Sequence, residues 1–230
     1  MNNRYFDNTL DINNPAPRCP VILLLDTSGS MSGSPIRELN EGYRQFLQET
    51  MNDEAASMSV ELEVITFGGT VNMPQPFASI NTLSPRPAEF TASGGTPMGE
   101  ALRLAMRNLE ARRQKYKDNG IAAYRPWVVL MSDGQPTDTT GWEETVTNFR
   151  SLVRKEKINC VGVGIGSSVD MNTLKRVAPG ALPLQGLKFK QFFRWLTDSL
   201  GTVSASAVSD QDNIKFGDVG LWADLGKMCC

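Results

Sequence analysis

Three short apolar runs stand out against an otherwise mixed chain. Pro20-Val21-Ile22-Leu23-Leu24-Leu25 is continuously apolar, and so is the run 127–131, Trp127-Val128-Val129-Leu130-Met131. Residues 158–165, from Ile158 to Ile165, form the third. The first two, short and unbroken, predict central strands buried on both faces, and the third reads as another core strand. Met58, Val60, Leu62 and Val64 alternate instead with Ser59, Glu61 and Glu63. That period of two predicts a strand with one more exposed face. After Gly68-Gly69, residues 71–77 contain Pro74 and Pro76, which suits an edge strand reached through a hairpin, because proline cannot donate to a central ladder.

Helical spacing fills the intervals. Ser34-Pro35 opens a helix with Ile36, Leu39, Tyr43, Phe46 and Leu47 on one face. After a loop-like segment at 79–93, a long helix opens at Pro97, with Met98, Leu102, Ala105 and Leu109 inward. Thr96 stands ready as its cap. Residues 142–157 turn Val146, Phe149, Leu152 and Val153 the same way. A short helix at 171–177, a brief strand at 182–184 and a last helix carrying Phe189, Phe192, Phe193, Leu196 and Leu200 follow.

Strands alternate with helices and no linker divides them. The expected fold is α/β: a three-layer, doubly wound, Rossmann-like sheet of mostly parallel strands with one antiparallel edge. Residues 1–18 read as a polar N-terminal arm, 19–206 as the domain, and 207–230 as a C-terminal extension packing on it.

Three polar runs sit where strands give way to loops or just ahead of a helix. They are Asp26-Thr27-Ser28-Gly29-Ser30, Ser93-Gly94-Gly95-Thr96-Pro97 and Met131-Ser132-Asp133-Gly134. Taken singly, each is ordinary loop and cap chemistry. Taken together, Asp26, Ser28, Ser30, Thr96 and Asp133 supply two carboxylates and three hydroxyls. This all-oxygen set suits a hard cation: Mg²⁺ first, with Mn²⁺ or Ca²⁺ as alternatives. In doubly wound sheets ligands bind beyond the carboxyl ends of the strands, where strand order reverses. Asp26 and Asp133 would meet there if their strands are neighbours.

Composition narrows the remaining chemistry. The chain has no histidine, so it cannot assemble a Ser-His-Asp or Cys-His nucleophile or a histidine-bound zinc. A net charge of −2 without strong charge blocks argues against nucleic acid as a partner. The nearest basic cluster, Arg112-Arg113-Gln114-Lys115-Tyr116-Lys117, reads as a solvated helix end, with a binding patch as the alternative. Asp138 and Asp170 read as surface-loop carboxylates near the site's rim. No apolar stretch approaches a membrane span, and residues 1–18 lack the apolar core of a signal peptide. A cytoplasmic protein with no membrane partner is expected. Cys160 reads as a buried small hydrophobe. The terminal Cys229-Cys230 has the form of a double-prenylation tail, with an ordinary chain end as the alternative. Gly162, Gly164 and Gly166 lack dinucleotide-loop spacing.

The motif Asp26-Thr27-Ser28-Gly29-Ser30 resembles the Asp-x-Ser-x-Ser signature of von Willebrand factor A domains. Thr96 and the Asp133 of Ser-Asp-Gly match that family's other metal positions. The resemblance implies a six-stranded doubly wound sheet and a metal-ion-dependent adhesion site, with one or both aspartates acting through water. It implies a non-enzymatic module that binds another protein through an Asp or Glu offered to the metal. Further segments resemble the bacterial TerY-like branch: Phe67-Gly68-Gly69, Thr96-Pro97-Met98-Gly99-Glu100-Ala101-Leu102, Tyr124-Arg125-Pro126-Trp127 and Asp133-Gly134-Gln135-Pro136-Thr137-Asp138. That resemblance implies a tellurite-resistance or stress-response setting, with a protein kinase or a PP2C-type phosphatase as candidate partners. Two other functions remain open. One is a Mg²⁺-dependent phosphohydrolase or phosphotransferase, although Ser28 stands where a second acid–base Asp would be needed. The other is a structural subunit stabilised by its metal.

Overall fold

The computed structural model describes residues 10–133 and 135–224. Six strands form one sheet: β1 (Cys19–Asp26), β2 (Val60–Gly68), β3 (Thr70–Ser79), β4 (Trp127–Ser132), β5 (Asn159–Gly164) and β6 (Leu182–Pro183). Their order is β3-β2-β1-β4-β5-β6. Every neighbouring pair is parallel except β2 and β3. The helices are α1 (Ser34–Asn52), α2 (Glu54–Ser59), α3 (Met98–Asp118), α4 (Trp142–Arg154), α5 (Met171–Val177) and α6 (Phe189–Ser204).

Strand alternation divides the interior into two cores. Val21, Leu23 and Leu25 of β1 face a core with Leu39, Tyr43 and Phe46 of α1 and Phe192, Phe193 and Leu196 of α6. Ile22 and Leu24 face the opposite core, with Leu102 and Leu109 of α3, Phe149 of α4 and Leu174 of α5. All eight residues of β1 are buried, as an unbroken apolar run at the centre of a three-layer fold requires. Each fully buried Leu contributes roughly 2 kcal/mol through the area it removes from water. β3 is the antiparallel edge, and its register against β2 shifts on both sides of the Val64–Gln75 pair. Those irregularities lie beside Pro74 and Pro76, which lack the N–H that a regular ladder needs.

Three expectations are corrected here. Met58 belongs to α2, where it is exposed, and the strand begins at Val60. The polar face of β2 is not exposed either: Glu61 and Glu63 are 1% and 2% accessible. They face α3, which presents Asn108, Arg112 and Tyr116 one turn apart. Arg112 Nε donates to Glu61 Oε2 at 2.7 Å, and its Nη2 lies 2.6 Å from the same oxygen. The Tyr116 hydroxyl donates to Glu61 as well. Arg112 is therefore a buried partner and not part of a solvated helix end. Asn108 Nδ2 reaches both Glu63 oxygens, at 3.2 and 3.1 Å.

Arg18, 1% accessible, closes this network at the start of β1 with its Nε 3.4 Å from Glu61 Oε1. Its Nη groups donate to the carbonyls of Asp11, Asn14 and Ala16, gathering residues 10–18 around it. At the other terminus, residues 207–224 pack back on the domain. The Trp195 indole donates to the Gly217 carbonyl at 3.0 Å, and Trp222 packs edge-on against Phe192. Cys229 and Cys230 lie outside the described residues. Among the described residues, no helix is long and apolar enough to cross a membrane.

Burial pushes the Glu63 carboxyl from 4.5 up to about 7, against the lowering effect of Asn108 and of the Arg112 charge. The unfolded chain releases this proton above pH 4.5, whereas the folded chain holds it to about 7. Glu63 thus favours folding most at low pH, and this contribution is lost as pH rises through about 7. Glu63→Gln, neutral at every pH, is expected to be ~1–3 kcal/mol more stable than wild type near pH 8 and no more stable near pH 4. Urea denaturation at the two pH values measures the difference.

Candidate metal centre

The β1–β4 pairing builds the site. Leu25 lies opposite Met131, so the ends of the two strands bring Asp26 and Ser132 abreast. Beyond this point the chain leaves β1 for α1 on one face and leaves β4 for α4 on the other. It is the topological switch point of the sheet.

Asp26 is fully buried. Its Oδ1 accepts the Ser28 N–H at 2.8 Å, and its Oδ2 accepts the Ser132 hydroxyl at 2.5 Å. Burial raises the Asp26 carboxyl above its ordinary range; hydrogen bonds from Ser132 and Ser28 lower it, and the nearby Asp133 charge raises it. A cation beside the two carboxylates would relieve both the desolvation and the repulsion.

The Ser28 and Ser30 hydroxyl oxygens are 2.9 Å apart, and Ser30 Oγ donates to Asp133 Oδ2 at 2.6 Å. Asp133 Oδ1 accepts the Gln135 N–H at 3.2 Å. Oxygens that are neighbours on an octahedral Mg²⁺, each 2.0–2.1 Å from the ion, lie about 3 Å apart. The serine pair already has that spacing, and the donor set fits a hard divalent cation. Among the described residues no group of three or more Cys, Asp and Glu gathers as a metal site. An ion held here would therefore depend on the hydroxyls as well as the two acids.

Thr96 joins through its backbone. Its N–H donates to Thr137 Oγ1 at 2.9 Å, and the Thr137 N–H returns a bond to the Thr96 carbonyl at 2.9 Å. This pair ties the Thr96 loop to the loop that carries Asp133. The Thr96 side chain is buried at 5% accessibility, and among the described residues its hydroxyl has no hydrogen-bond partner. This oxygen is not one of the fully buried unpaired atoms, so it keeps contact with solvent and is open to a ligand. The structure thus links Asp26, Ser28, Ser30 and Asp133 through side-chain contacts, and attaches Thr96 by main-chain bonds alone.

The expected capping role of Thr96 is corrected: α3 takes no side-chain cap from the residue before it. Asp138 supplies the cap instead, accepting the Gly99 N–H at 3.0 Å and the Glu100 N–H at 2.7 Å, with Arg103 3.7 Å away. Asp170, also read as a surface-loop acid, caps α5 through the Thr173 N–H at 3.1 Å. Sequence reasoning missed Thr137 and Asp138 as supports of the site. The available signal was a helix opening at Pro97, whose first N–H groups needed an acceptor from elsewhere.

Glycine-rich loops interlock around the oxygens. Gly29 N–H donates to the Gly94 carbonyl at 2.9 Å, Ser93 N–H to Thr27 at 2.8 Å, and Gly69 N–H to Gly95 at 2.7 Å. Gly94 has φ +66°, and a Cβ on it would fall 2.5 Å from Gly69 Cα. Neither the backbone angle nor the spacing admits a side chain. Gly94→Ala is expected to cost about 2–4 kcal/mol. Gly120→Ala, at a similar φ of +63° but in open space, should cost only about 1 kcal/mol. Thermal melts of the two variants test the contrast.

Comparison with known proteins agrees with this architecture. The chain is 27% identical over 155 residues to inter-alpha-trypsin inhibitor heavy chain H4 of Bos taurus, covering 64% of this chain and 16% of that protein. The Homo sapiens protein of the same name is 25% identical over 151 residues. The chain thus spans under a fifth of the length of these curated relatives. Among solved structures, a von Willebrand factor type A protein from Catenulispora acidiphila superimposes with TM-score 0.64 at 16% identity, over 81% of this chain and 43% of that one. The manganese-loaded TRAP protein of Plasmodium vivax does so with TM-score 0.53 at 18% identity, over 77% and 73%. Both structures share its fold. The profile of the von Willebrand factor type A domain matches residues 21–185, and the chain belongs to that family.

Proposed function

We propose that this chain is a metal-dependent protein-binding module. Asp26, Ser28, Ser30, Thr96 and Asp133 would hold a divalent cation, Mg²⁺ by the hardness of the donors. A partner protein would complete the ion's shell with an Asp or Glu side chain. The observation that carries this reading is the hydroxyl–carboxylate chain Ser28–Ser30–Asp133, set beside buried Asp26 at the switch point. Membership in a family of interaction modules that are often metal-dependent supports it. So does the manganese in the TRAP structure.

The chain's own groups divide the work. Asp26 orients the Ser28 N–H and the Ser132 hydroxyl. Ser28 and Ser30 offer neutral oxygens, which leave a bound ion electrophilic. The metal's role is Lewis-acid attraction for the partner's carboxylate. Catalysis is disfavoured by the position two residues after Asp26, where Ser28 provides no acid–base group titrating near neutrality. A cytoplasmic setting follows from the sequence reading. The tellurite-resistance context, with a kinase or PP2C-type phosphatase as partner, rests on the segments resembling the TerY-like branch.

Calorimetry with Mg²⁺ and Mn²⁺ is expected to show one site on the wild type. Metal at a hundred times Kd should stabilise the fold by about 2.7 kcal/mol. Asp26→Asn and Thr96→Val, both close in shape to the native residues, should weaken metal binding at least tenfold while melting within a few degrees of metal-free wild type. Partner capture from native lysate should require Mg²⁺ and fail with Asp26→Asn. Undiminished capture in EDTA would refute the reading.

A further inference from the structure

The N-terminal rim of the same two central strands borders a second feature. Pro20 of β1, Pro126 ahead of β4, and the ends of α3 and α4 surround a cavity of about 300 Å³. Arg113, Lys117, Arg125 and Lys157 bring four cations to its lining, against the one acid Glu156. The chain as a whole carries a net charge of −2, so this is a local reversal of sign.

Arg125 is already paired, 2.5 Å from Asp212 and 3.7 Å from Glu156. Arg113 donates one bond to the Lys157 carbonyl at 3.0 Å. Among the described residues, no carboxylate lies within ion-pair distance of Arg113, Lys117 or Lys157. Cations are common at helix C-termini, where they offset the dipole. Here, however, the chain's own N–H groups satisfy much of both ends. Asn119, Gly120 and Ile121 donate back to α3, and Lys155, Glu156 and Lys157 to α4. Glu156 does so in the left-handed region at φ 52°, the only non-glycine among the described residues to adopt it. A backbone conformation that costs about 1 kcal/mol thus places Glu156 and Lys157 on the cavity's rim. Clustered like charge over low-dielectric walls concentrates an attractive field for anions.

We propose that this cavity binds a phosphomonoester. Three uncompensated cations suit a compact dianion better than a single carboxylate, which Arg125 alone already accommodates through Asp212. The lining between the cations mixes polar and apolar groups, with Ile121 and Ala123 as its half-buried apolar residues; the hydroxyls of Tyr116 and Tyr124 are engaged elsewhere, on Glu61 and on the Ser206 carbonyl. The phosphate head sits among Arg113, Lys117 and Lys157, and the organic body lies on Ile121 and Ala123. The site is roughly 20 Å from Asp26, the rise of β1 between Pro20 and Asp26, and is distinct from the candidate metal centre.

The test titrates the full chain, in EDTA, with phenyl phosphate, inorganic phosphate and phenol, followed by amide NMR shifts and calorimetry. Phenyl phosphate should saturate one site, at least threefold tighter than inorganic phosphate, and phenol should not bind. Lys117→Ala/Lys157→Ala should weaken phenyl phosphate at least tenfold with an unchanged melting temperature. Lys157→Ala alone, an exposed position, should weaken it at least threefold and serves if the double variant folds poorly. Asp26→Asn should bind phenyl phosphate as the wild type does, which keeps this result separate from the metal reading. Absence of saturable binding, equal affinity in the lysine variants, equal affinity for inorganic phosphate, or shifts confined to the loops around Asp26 would each overturn the proposal.

Discussion

The parallel pairing of β1 with β4 is the constraint on which the rest of the molecule depends. Val21 to Leu25 register against Trp127 to Met131, and both strands are buried on both faces. Their ladder hydrogen bonds therefore have no competing water, and a slip of one residue would turn every side chain to the wrong core. That locked register brings Asp26 level with Ser132 and lets their side chains meet at 2.5 Å. A single hydrogen bond between chain segments 106 positions apart thus rests on the packing of two apolar strands.

Beyond those strand ends, three loops hold one another by main-chain bonds. Thr27, Gly29, Gly69 and Ser93 each donate an N–H within the cluster, and Thr137 clamps Thr96 from the β4 side. The contacts between the glycines are backbone on backbone, which is why the loops need residues without Cβ atoms. The consequence is electrostatic as well as steric. A carboxylate as buried as Asp26 is costly to keep charged, and its neighbours offset that cost only in part. Oxygens arranged before a cation arrives spare it the ordering penalty that flexible loops would impose.

The central strands, the antiparallel edge and the helices were legible in the sequence because each has a distinctive period. An unbroken apolar run such as 20–25 admits few other readings once a Gly/Ser loop and a helix follow. The motifs that carry the five proposed metal ligands were visible because they fall at strand and helix boundaries. The burial of Glu61 and Glu63 was not. A strand alternating apolar with acidic residues looks the same whether its polar face meets water or a helix stripe of Asn108, Arg112 and Tyr116, which lies 45–55 positions away. Pairing at that range leaves no local signature. The same limit hid Asp138, whose partners are the N–H groups of Gly99 and Glu100 in another segment. It also hid the division of the basic cluster near residue 112, where Arg112 turns inward and Arg113 and Lys117 turn to the cavity.

The two rims of the β1–β4 pair have opposite character for a reason rooted in this topology. Parallel strands send all their carboxyl ends to one rim and all their amino ends to the other. At the carboxyl rim, loops lead into helix N-termini, whose N–H groups draw acids such as Asp138 and Asp170. At the amino rim α3, α4 and α5 end, with Lys115 and Lys117, Arg154, and Lys175 and Arg176 in their last turns. On the face covered by α3, α4 and α5, charge is therefore separated along the strands before any ligand is considered. The proposed cation would be drawn to the carboxyl rim because two acids, one of them buried, meet there. The proposed anion would be drawn to the amino rim because Arg113, Lys117 and Lys157 line one cavity there. Both properties follow from strand direction and helix polarity, with specificity left to a handful of loop side chains.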